Sequence, residues 1–128
     1  MKELVFVYGT LKQGRGNNYL FQDSAFVGEG ITKDKYVLTN AGFPYMCPLP
    51  QDERAKPVFG HVFEVTKQEV MDDLDSLEGV SYGHYERRLH VINIEGGQVE
   101  AWSYTPCDVE DASKYHLCDS DEQGYYVY

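Results

Sequence analysis

The sequence predicts an α+β domain in which short strands, curled into a partial barrel, dominate and one helix is clearly marked. Three observations carry this. Short β-branched and aromatic runs recur along the chain, each bounded by Gly, Pro or Asn. One of these runs holds Gly28 and Gly30 in its interior, where a missing side chain permits a bulge, a barrel corner or the close approach of another backbone. Only residues 66–79 carry helical periodicity with a start and a stop signal, so helices do not alternate with strands and a parallel doubly wound sheet is excluded.

Taken in order, Leu4-Val5-Phe6-Val7-Tyr8 is an unbroken apolar run stopped by Gly9, the pattern of a strand buried on both faces. The loop after it is rich in Gly and Asn: Gly9, Gly14, Gly16, Asn17 and Asn18. Ala25 to Thr32 is the second strand and Tyr36 to Thr39 the third. Ala41 to Pro57 holds Pro44, Pro48, Pro50 and Pro57 and reads as irregular loop, with a short strand at Tyr45 to Cys47. Val58 to Val65 resumes as strand. Thr66-Lys67-Gln68-Glu69 has the spacing of a capping box, with Thr66 as N-cap and Glu69 at the third helical position, so a helix runs from there to Gly79. Tyr85 to Ile94 and Gln98 to Tyr104 pair as a hairpin across Glu95-Gly96-Gly97. From about Cys107 the tail is acidic, reading as a solvated face, and it ends in Tyr125-Tyr126-Val127-Tyr128, which reads as packed onto the domain.

At 128 residues the chain is expected to form one domain over 1–128, and 42% hydrophobic with 14% aromatic residues is enough to build a core and to exclude the disordered class. With 21 acidic residues against 11 basic the net charge is −10, which argues against nucleic acid or an anionic membrane surface as partner. A small ligand or a protein fits better. No apolar run reaches the length of a membrane span, and the N-terminus lacks a basic region followed by an apolar signal core. Three cysteines, an odd number, and the lack of an Asn-x-Ser/Thr acceptor point to a reducing cytoplasm. Nothing in the sequence specifies an oligomeric state.

Two segments carry candidate chemistry. The glycine-rich loop fails as a phosphate cradle, because Arg15 and Gly16 stand where Lys and a hydroxyl are required, and it fails as a dinucleotide fingerprint at Tyr19. What remains is the strand end Tyr8-Gly9-Thr10-Leu11, which is either a tight turn or a set of backbone donors for a carboxylate or oxyanion. The second candidate is Glu78. With Val70 at zero, Leu74 falls at about 40°, Met71 at about 100° and Leu77 at about 340°, and Glu78, at about 80°, lies inside that apolar arc. Asp72, Asp73, Asp75 and Ser76 point the other way. A carboxylate on the core side, at the negative end of the helix, has a raised pKa suited to acid/base work near neutrality. The other reading turns Glu78 outward or pairs it with Arg87 or Arg88. Cys107, His116 and Cys118 are a weak set of metal ligands, since the first interval is long and no Cys-x-x-Cys occurs, so no metal is assigned. No Ser or Cys sits in a nucleophile elbow, and His61, His84 and His90 have no assigned partner.

Together and in order, Val5 to Leu11, Gly42-Phe43-Pro44, Val58-x-Gly60-x-Val62, Leu74-Asp75-x-x-Glu78-Gly79 and Tyr85-x-Arg87 resemble the γ-glutamylcyclotransferase-like family, nearest its γ-glutamylamine cyclotransferase branch. The resemblance implies a small mixed β-barrel with flanking helices. It also implies an enzyme that cleaves a γ-glutamyl amide by internal cyclisation, releasing 5-oxoproline and an amine, with no metal or organic cofactor. On that resemblance Glu78 is the acid/base, Tyr8, Gly9, Thr10 and Leu11 hold the glutamyl head group, and the Tyr85 phenol lines the pocket. The Ala41 to Pro57 loop and the tail depart from the pattern and are expected on the leaving-amine side. A non-catalytic module of the same fold, binding a γ-glutamyl or carboxylate ligand, is the alternative. Glu78 counts against it, because a desolvated carboxylate opposes binding of an acidic head group. Catalysis requires the helix end and the end of the first strand to meet in one pocket.

Overall fold

The computed structural model describes residues 1–128. Its elements are β1 (Glu3–Val7), β2 (Ala25–Thr32), β3 (Val37–Asn40), β4 (Pro44–Cys47), β5 (Phe59–Val65), α1 (Gln68–Leu77), β6 (Tyr85–Ile94), β7 (Gly97–Pro106), α2 (Val109–Ala112), β8 (His116–Leu117), β9 (Asp119–Ser120) and β10 (Tyr126–Val127). Five strands close a barrel in the order β1-β5-β2-β6-β7. Every pairing in it is antiparallel except the closing one, where β1 meets β7 in parallel at Val5 and Trp102. β3 pairs with β4 and β8 in a small separate sheet, and β9 pairs with β10.

Strand β1 is apolar from Leu4 to Val7, and both faces of its buried part, Val5 to Val7, are covered. Val5 and Val7 join the cluster that contains Val70, Met71 and Leu74 of α1. Phe6 faces the other way, with Val62 of β5, Ile92 of β6 and Ala101 of β7. The glycines in β2 and β5 are what let these strands curl: the register shifts between Phe26 and Gly28, a β-bulge, and a Cβ on Gly30 would lie 2.6 Å from the Ile92 side chain. Gly60 is tighter still, since a Cβ there would run into the Val7 carbonyl and the Phe6 ring.

The start of α1 and the hairpin turn depart from the sequence reading. The capping box does not form: Lys67, still extended at φ −116° and ψ 129°, is the N-cap, and no side chain caps the helix. The chain stays extended for two residues after β5, so Thr66 lies one position too early. The helix ends as expected, with Gly79 left-handed at φ 65°. The hairpin turn is one residue shorter than expected, as Gly97 already pairs with Ile94. The short strand expected within the Ala41 to Pro57 segment is present as β4, one residue longer and buried along its whole length. In the tail, Asp108 caps α2 by accepting from Asp111 N–H, and β10 brings Tyr126 into the core, as expected of the terminal tyrosines, its phenol donating to the Arg54 carbonyl at 2.6 Å. No helix is long and apolar enough to cross a membrane.

The close approach at Gly60 gives a test of barrel closure. Gly60→Ala is expected to destabilise the chain by about 1–3 kcal/mol or more in urea unfolding, as overpacking of a filled core does. Gly16→Ala, where a Cβ meets nothing within 4 Å, is expected to leave the unfolding midpoint nearly unchanged.

Candidate active site

Barrel closure delivers the end of β1, Tyr8 to Leu11, to the same place as the C-terminal end of α1 and the first residue of β6. One cavity of about 270 Å³ is lined by Tyr8, Gly9, Thr10, Leu11, Glu78 and Tyr85, all six residues singled out from the sequence. Phe43, Pro44, Asn17, Leu77, His84 and Tyr104 also line it. Gly9 is required for this convergence, because a Cβ there would lie 2.8 Å from the Pro44 ring.

Glu78 is the C-cap of α1 and is half-buried, since the mouth of the cavity still admits water. Its carboxyl makes no hydrogen bond or ion pair within the protein. The two arginines that offered a structural partner are taken: Arg87 pairs with Asp75 at 2.9 Å and Arg88 with Glu86 at 2.7 Å. Burial without a partner pushes the Glu78 carboxyl from an ordinary 4.5 up to about 7.

Helical phase misplaces two neighbours. Asp75 does not point away; it is half-buried, and besides Arg87 it accepts from the Tyr104 phenol at 2.7 Å. At about 140° it lies at the edge of the apolar arc, and partners on β6 and β7 draw it in. Leu77 is 43% exposed, because at the last helical turn the arc faces the cavity rather than the core.

The turn after β1 has the polarity an anion needs. Its acceptors are occupied: the Gly9 carbonyl takes Lys12 N–H, the Thr10 carbonyl takes Asn17 N–H, and the Leu11 carbonyl takes the Asn18 amide. Asn17 also donates to the Thr10 hydroxyl at 2.8 Å. The backbone N–H groups of Gly9, Thr10 and Leu11 have no acceptor in the protein. A run of unengaged donors of this kind suits a carboxylate or an oxyanion. The two phenols are fixed in place as donors. Tyr8 donates to the Tyr104 carbonyl at 2.5 Å and Tyr85 to the Pro44 carbonyl at 2.6 Å, and burial pushes both far from ionising.

Sequence reasoning missed Tyr104, Asn17 and the mouth residue His84. Tyr104 and His84 carry no local signal, and Asn17 was visible only as one more loop residue. Phe43 lay in the Gly42-Phe43-Pro44 motif without a role. Cys107, His116 and Cys118 do not come together: no group of three His, Cys, Asp or Glu side chains is arranged to hold a metal ion.

Residues 5–126 match the family described as gamma-glutamyl cyclotransferase, AIG2-like. The chain belongs to that family. As a member it is an enzyme of the gamma-glutamyl cyclotransferase type. It is 36% identical over 132 residues to the gamma-glutamylaminecyclotransferase of Bos taurus, covering 94% of this chain and 76% of that protein. With gamma-glutamylaminecyclotransferase A of Danio rerio it shares 31% identity over 111 residues, 79% of this chain and 67% of that one. The crystal structure of an AIG2-like protein from Mus musculus superposes with a TM-score of 0.76 at 27% identity, covering 99% of this chain and 95% of that chain. The expected fold, a small mixed barrel with flanking helices, is the one observed.

The unpaired Glu78 links stability to pH. Between about 4.5 and about 7 the folded chain holds a proton at Glu78 that the unfolded chain has released. The stabilising contribution of this group is therefore complete below the lower value and is lost as pH rises through the upper one. Glu78→Gln is expected to match wild type most nearly in urea unfolding at pH 4, below both values, and to exceed it at pH 8 by up to about 3 kcal/mol. A variant less stable than wild type at pH 8 would give Glu78 a satisfied structural role instead.

Proposed function

We propose that this protein cleaves a γ-glutamyl amide by intramolecular cyclisation, releasing 5-oxoproline and a free amine, with Glu78 as general acid/base. The observation that carries the reading is an unpaired carboxyl, pushed up to about 7, in one cavity with a turn whose backbone donors are unengaged. Family membership supports it. So do relatives named gamma-glutamylaminecyclotransferase.

In this reaction the glutamyl α-carboxylate docks on the amides of Gly9 to Leu11, and the phenols of Tyr8 and Tyr85 wall the head group. Glu78, ionised, takes a proton from the α-ammonium. The freed nitrogen attacks the γ-carbonyl carbon, the new C–N bond closes the five-membered ring, and the carbonyl electron pair moves onto oxygen. When the tetrahedral centre collapses, the oxygen pair re-forms the carbonyl, the bond to the outgoing nitrogen breaks and that nitrogen takes the proton from Glu78. The ring nitrogen then gives its remaining extra proton to the re-ionised Glu78, which passes it to the released amine, so that 5-oxoproline keeps one N–H and the amine leaves as an ammonium. The nucleophile is tethered to its electrophile, so holding the near-attack geometry contributes about 7–11 kcal/mol to lowering the barrier. A pKa near the working pH serves both proton transfers. The outgoing amine leaves past Phe43, Leu77 and His84, the exposed residues of the cavity lining.

A non-catalytic binder of the same head group gains nothing from an unpaired carboxyl in its pocket. The three cysteines are unpaired, which fits the reducing cytoplasm.

A mass-spectrometric screen of γ-glutamyl amines and γ-glutamyl dipeptides is expected to show 5-oxoproline release by the wild-type protein. Glu78→Gln is expected to lower that rate at least about 100-fold. Ligand binding without release would instead favour the binding module. Turnover is also expected to persist after chelation with EDTA, because tethered attack and one carboxyl complete the proton inventory. Loss restored by a divalent metal would overturn the cofactor-free reaction.

A further inference from the structure

We infer that Asp75 is a positioning residue: held by Arg87 and Tyr104, it locks the last turn of α1 to the barrel wall and thereby sets where the Glu78 carboxyl stands relative to Tyr8. This rests on the catalytic reading of Glu78 above.

The apolar anchors of α1 are Val70, Met71 and Leu74, and they stop one turn before the catalytic position. Leu77 is exposed and Gly79 turns left-handed, so no buried apolar side chain of the helix holds its end after Leu74. Asp75 supplies that hold. Arg87 donates to it through Nε at 2.9 Å and Nη2 at 3.2 Å, and Tyr104 donates through its phenol at 2.7 Å. These two donors are direct cross-strand partners on β6 and β7, so Asp75 sits over one rung of the barrel. Arg87 is itself restrained, with its guanidinium 4.8 Å from the Trp102 ring centroid. Trp102 in turn donates to Glu3 at 2.8 Å.

Tyr104 is the joint. Its side chain holds Asp75, while its backbone carbonyl accepts the Tyr8 phenol. The end of the helix and the end of β1 are therefore referenced to a single residue. The ionisable groups around the Glu78 carboxyl are Tyr8 from β1, Tyr85 from β6, Tyr104 from β7 and His84 at the mouth; no Lys or Arg lines the cavity. With Asp75 removed, nothing charged holds Glu78 in place, and its carboxyl moves out through the mouth toward water.

The test compares wild type, Asp75→Asn, Tyr104→Phe and, as a control for simple loss of stability, Ile92→Val in the barrel core. Two quantities are read: steady-state release of 5-oxoproline, and the titration midpoint of the Glu78 carboxyl by carbon-13 NMR. Asp75→Asn is expected to lower kcat about 100-fold, as a misplacement of about 1 Å does, with KM changed by less than about threefold. Its Glu78 midpoint is expected to fall toward the ordinary carboxylate value, whereas Ile92→Val moves neither quantity. A folded Asp75→Asn with wild-type kcat, with its loss confined to KM, or with an unmoved Glu78 midpoint overturns the inference. If Asp75→Asn does not fold, Tyr104→Phe, which deletes one hydrogen bond, decides by the same criteria with smaller shifts. If wild type releases no 5-oxoproline, the catalytic reading falls, and the NMR titration still decides whether Asp75 holds Glu78.

Discussion

Closure of the barrel between β1 and β7 is the constraint on which the rest depends. β1 is only five residues long and ladders fully with β5, yet it meets β7 through one bridge, Val5 to Trp102. Side chains complete the seam: the Ser103 hydroxyl donates to the Phe6 carbonyl at 2.9 Å, and the Tyr8 phenol donates to the Tyr104 carbonyl. Both acceptors are backbone groups in a buried setting, where an unmet carbonyl costs about 1–3 kcal/mol. The seam is thus held by polar side chains where a ladder would normally run. Because it closes here, Tyr8 and the turn after it lie against β7 and beneath the end of α1.

Two carboxylates one helical turn apart show how the same chemistry is steered to different ends. Asp75 meets a guanidinium fork and a phenol, so its charge is satisfied. Glu78 meets phenols whose own protons are engaged elsewhere, at the Tyr104 carbonyl, the Pro44 carbonyl and Asp75. Nothing compensates its desolvation, and its carboxyl holds a proton near neutrality. Asp75 is held as an ion-pair and hydrogen-bond partner, whereas Glu78 is left unpaired in the cavity.

The cavity is also uneven along its length. The end around Tyr8, Leu11, Tyr85 and Tyr104 is buried and built from β6, β7 and the turn after β1. The mouth is built from segments outside the barrel. Tyr45 of β4 lies 5.3 Å from Phe43, 5.7 Å from His84 and 5.9 Å from Tyr115 between ring centroids, an aromatic collar drawn from the Ala41 to Pro57 segment, the turn before β6 and the tail. The inner end of the cavity is thus walled by buried groups, and its mouth by connecting segments.

Where a signal is local, the sequence alone was sufficient. β1 was legible because burial on both faces demands an unbroken apolar run. The bulge in β2 followed from Gly28, the stop of α1 from Gly79, and the inward phase of Glu78 from its spacing with Val70, Met71 and Leu74. The turn Tyr8 to Leu11 was legible either as a tight turn or as a set of donors, and the unengaged N–H groups of Gly9, Thr10 and Leu11 appear only in the folded chain. Other features depend on partners distant along the chain, and there the sequence was silent or misleading. Capping by Thr66 failed because the exit direction of β5, not the Thr-x-x-Glu spacing, decides where the helix begins. Asp75 looked solvent-facing until β6 and β7 brought Arg87 and Tyr104 beside it. Glu78 was open to pairing with either arginine; only the register of β6 and β7, which gives Arg87 to Asp75, leaves Glu78 unpaired. Periodicity reports which way a side chain points on its own element, whereas charge satisfaction depends on which other elements the fold brings within about 3 Å of it.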